Sequence, residues 1–575
     1  MGLGSRKGPF TPRRGNMPSN EKNRAIRRLR AGARQLRHRL SRADVRSQLI
    51  LWPIAVVIGV ATGYAVILFR TAISGLQGLL YGASDEMIHS AAAALPWYVV
   101  LSVPVLGGLV VGLILTIFTR DARARGVDAV IEAAAMQAGR VDRRIGIASS
   151  LAALVTLSTG GSTGREGPAI HIGAVLASWV SDWLKAPPIT ARDILGCAAA
   201  AAVSASFNAP LAGALFALEV VLRHYALHAF GPIVISSVAA AVVSRIHLGD
   251  VTEFMLPAHS IAFYWEIPAF MILGVLSGFV GTVMMRTLFL AEGVADRVQR
   301  ALRIPDWLRP AVAGAMLGVL ALQFPHIIGV GYETTTLALT TQIAFATAVL
   351  FAVVKVAAVA VTFAGRMGGG VFSPALMLGA LTGCAFGELA IEIFPSVSGS
   401  QGLYALAGMG AVAGAVLGAP ISSTLIVFEL TADWQAGIAV MVSISLASVV
   451  ADRMVARSFF LTLLERRGLH LSDGPQGYIA ATMPVMHLMR YRGAEDCASD
   501  TACWALVEQG AFLRREDTLE RALPMLERLR GGFLPVVDGT VSDTTTPELL
   551  GALFQVDALS AYTRALEDEL REEHG

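Results

Sequence analysis

Long stretches of this chain carry almost no polar residue, and they come in two lengths. A first run, about Leu49–Phe69 (LILWPIAVVIGVATGYAVILF), ends at Arg70, and a second, about Trp97–Phe118, stops at Thr119-Arg120-Asp121. Each approaches the ~20 apolar residues that carry a helix across a bilayer. The next runs are shorter and are divided by Gly and Pro: about 126–138, 144–158, 166–184, 191–206, 210–224 and 228–246. A long run at about 264–290 follows. A second broken set then covers 308–323, 335–364 (long enough for two helices), 372–389, 402–416, 420–431, 435–455 and 458–468. Backbone polar groups inside a bilayer must be satisfied within their own helix, so each run predicts helix, and short helices must end against protein or a wet cavity. Interrupted segments at matching places in two halves point to a transport site near the midplane.

The pattern divides the chain into a tail at 1–47, a membrane domain at 48–468 and a polar C-terminal part at 469–575. Within the membrane domain the repeats are expected at about 97–246 and 308–455. In the C-terminal part an amphipathic helix begins at Asp517–Leu523. A strand over Phe533–Asp538, a polar loop over 539–548, a strand over Leu549–Phe554 and a charged helix follow. That order predicts a small α/β module, near the lower size limit for a stable domain. The expected fold class is therefore an all-α polytopic membrane domain of short broken helices in two repeats, with a small α/β domain behind it.

The two halves share a motif. Gly161–Gly173 reads GSTGREGPAIHIG and Gly370–Gly379 reads GVFSPALMLG. Superposed, both are G-x-x-x-P-A-x-x-x-G, with Gly164, Pro168, Ala169 and Gly173 matching Gly370, Pro374, Ala375 and Gly379. A second pair, APLAGALFALE at 209–219 and APISSTLIVFE at 419–429, lies at nearly the same offset: 206 residues separate Pro168 from Pro374, and 210 separate Pro210 from Pro420. Two collinear matches indicate an internal duplication. Pro is favoured in the first turn of a helix, so each GxxxPA copy predicts a loop entering a helix start. A helix that begins inside a membrane presents unpaired N–H groups and the positive end of its dipole, and two such starts suit an anion.

Composition agrees with that setting: 575 residues, 54% hydrophobic and 15% charged, with a mean hydropathy of +0.59. The formal charge of +3 hides an asymmetry, because residues 1–47 carry fourteen Lys and Arg against Glu21 and Asp44, leaving the remainder net acidic. A basic arm beside the first apolar run marks the cytoplasmic side. It is read as a topology signal rather than a nucleic-acid arm or a signal peptide, and both termini are placed in the cytoplasm of a bacterial inner-membrane protein. Cys197, Cys384, Cys497 and Cys503 have no metal-ligand spacing and are expected as reduced thiols. Neither a nucleophile–base pair nor a metal cluster points to an enzyme. Arg165-Glu166 stands where a phosphate-binding loop needs Lys-Ser/Thr.

Glu166 is the first functional candidate, since an ionisable side chain at an embedded helix start is costly. Beside the N–H groups of its own helix it can act as a tethered anion whose protonation vacates the site. Around Gly370, Val371 and Phe372 the donors are backbone amides, which bind a weakly hydrated monovalent anion without the grip of a full charge. Lys355, inside LFAVVKVAAVAV, either raises the positive potential of the pathway or pairs with a carboxylate. His171 is expected neutral.

GREGP at 164–168, GVFSP at 370–374 and FNAPLAGALFALE at 207–219 resemble the signatures of the CLC family of chloride channels and chloride/proton antiporters, over about 48–468. The resemblance implies a homodimer with a pore in each subunit, inverted repeats and helix starts that meet at mid-membrane. It makes Glu166 the gate, flanked by Gly164, Arg165 and Gly167, and gives Gly370, Val371 and Phe372 to the anion, with chloride as the transported ion and no cofactor required. The tail, through TMPVMHLM, LPVVD and LLGALF, is similar to CBS modules in a single legible copy, to which the resemblance attaches an adenine nucleotide.

Three positions depart from the family pattern. Arg125, in Ala124–Asp128, stands at the anion-touching serine. There it either binds anions, favouring bicarbonate, nitrate or fluoride over chloride, or faces the cytoplasm on a displaced loop. Phe460 replaces the tyrosine at the inner end, keeping bulk and losing the hydroxyl. Val220 replaces the inner proton-relay glutamate and cannot carry a proton, so both a passive channel and a weakly proton-coupled exchanger remain open. Glu219 and Glu429 are expected in structural contacts. A membrane receptor that senses a ligand through its tail is the reading outside transport.

Overall fold

The computed structural model describes residues 46–83, 87–224, 227–249, 263–395, 398–431, 434–455, 457–469, 480, 483–494, 496–529, 532–538 and 548–574. Nearly all of the basic arm and the loop at 539–547 therefore lie outside the described residues.

Helices dominate, and their limits follow the apolar runs closely. Trp97–Phe118 is one helix, and the run at 335–364 is two, Tyr332–Leu339 and Phe345–Ala364. Two helices outlast their apolar cores, since Arg46–Tyr81 and Phe263–Leu302 continue well past residues 69 and 290. Arg70 does not stop the first, because one charge amid helix-forming sequence without Pro leaves the backbone ladder intact. At 36 and 40 residues, these helices are about 54 and 60 Å long at 1.5 Å per residue. They exceed the bilayer core and must tilt or emerge from it. Seven helices among the described residues are long and apolar enough to cross a membrane. A short helix that the hydrophobic pattern did not mark, Ile88–Ala94, follows the first span.

The two halves repeat one order of eight helices. Arg46–Tyr81, Trp97–Phe118, Val127–Met136, Arg143–Ser158, Glu166–Leu184, Pro188–Phe207, Pro210–Leu222 and Leu227–Leu248 correspond in turn to Phe263–Leu302, Arg309–Gln323, Tyr332–Leu339, Phe345–Ala364, Phe372–Ile393, Gln401–Leu417, Pro420–Thr431 and Trp434–Met454. Packing repeats as well: the leading helix of each half lies against the last, and the fifth against the sixth. The correspondence thus takes in a leading helix in each half, ahead of residues 97 and 308. Small residues permit the close approach that packing between membrane helices requires, and in Pro188–Phe207 every residue from Asp193 onward is buried.

Reciprocal contacts relate the halves by a local two-fold. Glu219 accepts from Ile421 N (3.0 Å) and Ser422 N (2.7 Å), while Glu429 accepts from Leu211 N (2.9 Å) and Ala212 N (2.8 Å). Both carboxylates are thus in structural contacts, each satisfying the first N–H groups of a helix from the other half. Glu219 itself sits in a π-helical turn, Ala217–Leu222, which also holds the buried Val220.

After the membrane domain, Phe459–Arg466 leads toward the C-terminal part, a four-stranded sheet. Its strands are β1 (Arg490–Tyr491), β2 (Leu513–Arg514), β3 (Phe533–Asp538) and β4 (Glu548–Phe554), in the order β1-β4-β3-β2. Only β2–β3 is parallel. Cys503 and Val507 cover one face of the sheet, and Leu519, Leu526 and Ala558 cover the other. Burial on both faces explains why β3 reads as a continuous apolar run rather than an alternation.

Candidate functional site

Residues before the two GxxxPA helices pair with each other. Gly164 N donates to Gly370 O at 2.7 Å and Gly370 N to Gly164 O at 2.9 Å, an isolated antiparallel bridge between equivalent residues of the two halves. Thr163 Oγ1 adds a bond to Gly370 O at 2.9 Å. Only glycine fits the neighbouring Gly369, whose φ is +143° and where a Cβ would lie 2.1 Å from Thr163 Oγ1. The bridge sets the starts of Glu166–Leu184 and Phe372–Ile393 side by side. In each helix the shared proline is the third residue, where no intrahelical N–H partner is lost, and neither N-cap residue, Arg165 or Val371, makes a side-chain capping bond.

Glu166 is 2% exposed and its carboxylate reaches the first turn of the other helix. Ser373 Oγ donates to Oε1 at 2.5 Å, and the Tyr332 hydroxyl approaches the same oxygen at 3.4 Å. A Cβ built on Gly164 would meet Glu166 Oε2 at 2.7 Å and Ser373 N at 3.1 Å. The carboxylate therefore lies in the space that the missing side chain leaves. Arg165 is buried with its guanidinium carbon 4.6 Å from the centre of the Tyr332 ring, a cation–π arrangement. Phe372 points away into an aromatic nest, 5.0 Å from Phe207 and 6.4 Å from Phe216 between ring centres, leaving its backbone at the helix start.

On one side of this junction lies a cavity of about 80 Å³, lined by Gly167, Gly370, Val371 and Phe460 among others. At roughly 10–15 Å³ of such volume per water, an ion fits with a few waters. Gly126, Val127 and Asp128 contribute a further helix start to its wall, and His171 Nδ1 donates to Gly126 O at 3.2 Å, pinning that loop. Phe460 closes the wall with Phe459 and Leu463, so ring bulk stands there without a hydroxyl.

Arg125 is not among the residues lining the cavity. Its guanidinium pairs with Asp121 at 2.7 Å and its backbone N–H donates to Ser149 Oγ at 2.9 Å. Of the two placements left open for it from sequence, Arg125 is seen paired within its own loop and not on the cavity wall. Arg123, Arg366 and Arg467 line the cavity instead, with Glu292 and Asp128. Arg467 pairs with Asp128 at 2.5 Å, and Arg123 with Glu292 at 2.8 Å. Lys355 is buried, and its ammonium donates to the carbonyls of Ile327 and Gly329, at 3.3 and 3.2 Å, just before the Tyr332 helix.

Tyr332, Arg123, Arg366 and Arg467 were not singled out from sequence. Arg366 had a usable signal, a charge four residues before Gly370 at the end of an apolar helix. Arg467 had none, since its partner Asp128 is 339 residues away.

The family model for the voltage gated chloride channel matches residues 107–452. The ClcB-like protein of Ralstonia nicotianae is 32% identical over 417 residues, covering 72% of this chain and 96% of that protein. The chain belongs to the CLC family. Another relative in this family, the H(+)/Cl(-) exchange transporter ClcA of Salmonella arizonae, is 28% identical over 447 residues, 77% of this chain and 93% of its own. The solved structure of a slow cyanobacterial Cl−/H+ antiporter superposes with a TM-score of 0.63 at 23% identity, over 72% of this chain and 97% of that one. This CLC protein is accordingly a multi-pass membrane protein of a family of chloride channels and H+/Cl− exchangers.

Proposed function

We propose that this CLC protein moves chloride, or a similar small monovalent anion, past the paired helix starts, with Glu166 as the gate. The observation that carries the reading is the Glu166 carboxylate, 2% exposed and bonded to Ser373 across the Gly164–Gly370 bridge. An anion held there by main-chain amides and a carboxylate compete for one berth, because both are drawn to the same dipole ends. Protonation neutralises the carboxylate, releases it from those donors and opens the berth. Val371 and Gly370, on the cavity wall, would hold the ion next. Arg123, Arg366 and Arg467 stand on the same wall, each beside an acid that offsets its charge.

Pairing of Arg125 with Asp121 supports chloride over the alternative of bicarbonate, nitrate or fluoride. Val220 offers no proton-accepting group, so we propose flux without strict proton coupling by that route, in a homodimer with a pathway in each subunit. The arginine-rich segment 119–144 and the C-terminal sheet are placed on the cytoplasmic side by the positive-inside rule.

Anion efflux from liposomes holding the purified protein tests the gate. Wild-type flux is expected to rise as pH falls, and Glu166→Gln to give flux that no longer responds to pH. Equal pH dependence in both proteins, or no flux in either, overturns the assignment. Reversal potential under a pH gradient tests the coupling: a shift with the proton gradient close to that of a fixed exchange ratio defeats the uncoupled reading.

A further inference from the structure

A second cavity lies away from the anion pathway, between the last turns of Phe263–Leu302, the start of Arg309–Gln323 and the end of Phe345–Ala364. Its volume is about 330 Å³, within the range of small-molecule sites. Ala291, Val294, Ala295 and Val298 line it at the i, i+3, i+4, i+7 spacing of one helix face, opposite Val312 and Met316. That face is aliphatic, whereas Glu292 and Asp296 on the same helix turn to arginines. Val294, Val298, Val312 and Met316 are all exposed, so the crevice opens sideways on the membrane domain.

One wall is not apolar. Arg309 is 5% exposed, with Nε donating to Ala364 O at 2.7 Å and Nη1 bonded to Asp296 and Gln299. Its Nη2 is buried and has no hydrogen-bond partner among the described residues. An unmet donor on a buried guanidinium is costly, and an anionic oxygen meets it through a charge-assisted bond. An aliphatic slot open on the side of the membrane domain, with a buried guanidinium among its lining residues and one donor of that group unmet, suits an anionic amphiphile.

We propose that this crevice holds an acyl chain of an anionic phospholipid whose headgroup oxygen accepts from Arg309. Asp296, which Arg309 holds through Nη1, also lies 3.3 Å from Arg366 and 3.6 Å from Arg123, so the crevice borders the anion cavity while its proposed donor, Nη2, stays clear of that ion-pair network. The lipid site itself does not depend on the transport reading.

The test uses the full chain purified in mild detergent and exposed to equal amounts of phosphatidylglycerol and phosphatidylcholine, with retained lipid counted by native mass spectrometry. Wild type is expected to retain phosphatidylglycerol preferentially, and Ala295→Trp, which fills the slot without touching the arginines, to retain one fewer per subunit. Arg309→Gln should weaken phosphatidylglycerol retention about fivefold, the effect of one basic residue at an anionic lipid. Should that variant fail to elute as a single folded species, Ala295→Trp carries the test. Equal retention of the two lipids by wild type, or undiminished phosphatidylglycerol on Ala295→Trp, overturns the proposal. Retention of added dodecanoate in place of phosphatidylglycerol overturns the phospholipid assignment.

Discussion

Two pairs of helix starts in this protein use the same physical device to different ends. The helices at Pro210 and Pro420 each begin against a carboxylate from the opposite half, Glu429 on Leu211 and Ala212, Glu219 on Ile421 and Ser422. Every start has its own acid, held by two main-chain donors. The helices at Glu166 and Phe372 also meet across the two-fold, but one acid serves both. Its equivalent in the second half is the phenyl ring of Phe372, turned into Phe207 and Phe216. Matched acids make a permanent cap and lock the halves together. A single acid on a side chain bonded through Ser373 and Tyr332 leaves dipole ends that a mobile anion can also satisfy. The contrast suggests that loss of symmetry at the bridge, rather than the duplication itself, creates an ion site.

The largest effect is expected at the matched pair. Glu219→Ala or Glu429→Ala strips two helix N–H groups of their acceptor, at about 1–3 kcal/mol for each group left unsatisfied. Thermal unfolding in detergent should show losses of the same order for the two variants, because the main-chain contacts are reciprocal, with the larger loss at Glu219, which also accepts from the Ser422 hydroxyl. A large loss for one and none for the other would break the symmetry on which the comparison stands.

Next come the bridge glycines: each Cβ would stand beside a main-chain amide, Ser373 N at 3.1 Å for Gly164 and Gly167 N at 3.2 Å for Gly370, but only the Gly164 Cβ also meets the carboxylate. In Gly164→Ala the new Cβ lies 2.7 Å from Glu166 Oε2, so the flexible carboxylate must move away. Flux at alkaline pH is expected to rise, by up to about tenfold if the carboxylate loses 1.4 kcal/mol of preference for the berth. In Gly370→Ala the Cβ stands 3.2 Å from Gly167 N and screens an amide from the cavity, so anion affinity should fall with the pH response retained. Efflux against pH and against anion concentration separates the two. Identical behaviour of the variants would remove the functional asymmetry.

The same comparison explains what could be read from sequence. Helix limits were legible because lipid imposes a length on every span, and because Gly and Pro mark each break. Trp97–Phe118 and the start at Glu166 therefore fall where the hydrophobic pattern puts them. The repeat was legible through its prolines. What brings Arg123, Arg366 and Arg467 to one cavity is tertiary folding across hundreds of residues, which leaves no local period. Arg125 stayed open between two placements because position within a motif gives no side-chain direction, and its partner Asp121 lies in the same irregular segment, where no helical spacing announces a pair. Strands β1 and β2 are two residues each, too short to alternate visibly.

The smallest effects concern the two hydroxyls that hold the gate. Ser373 Oγ stands 2.5 Å from Glu166 Oε1 and the Tyr332 hydroxyl 3.4 Å, so the first is a strong bond and the second a weak one. Both hold the carboxylate in the berth, and removing either loosens it. Ser373→Ala should therefore raise flux at alkaline pH by up to about tenfold, the equivalent of roughly 1.4 kcal/mol, in line with a lost bond to a charged group. Tyr332→Phe should raise it by no more than about twofold, because the bond is long and the ring that Arg165 stacks on is kept. A larger effect for Tyr332→Phe than for Ser373→Ala would mean that the carboxylate leans on the Tyr332 helix rather than on the start of Phe372–Ile393. In that case one acid would no longer be shared by two helix starts, and the distinction between cap and gate would have to rest on burial alone.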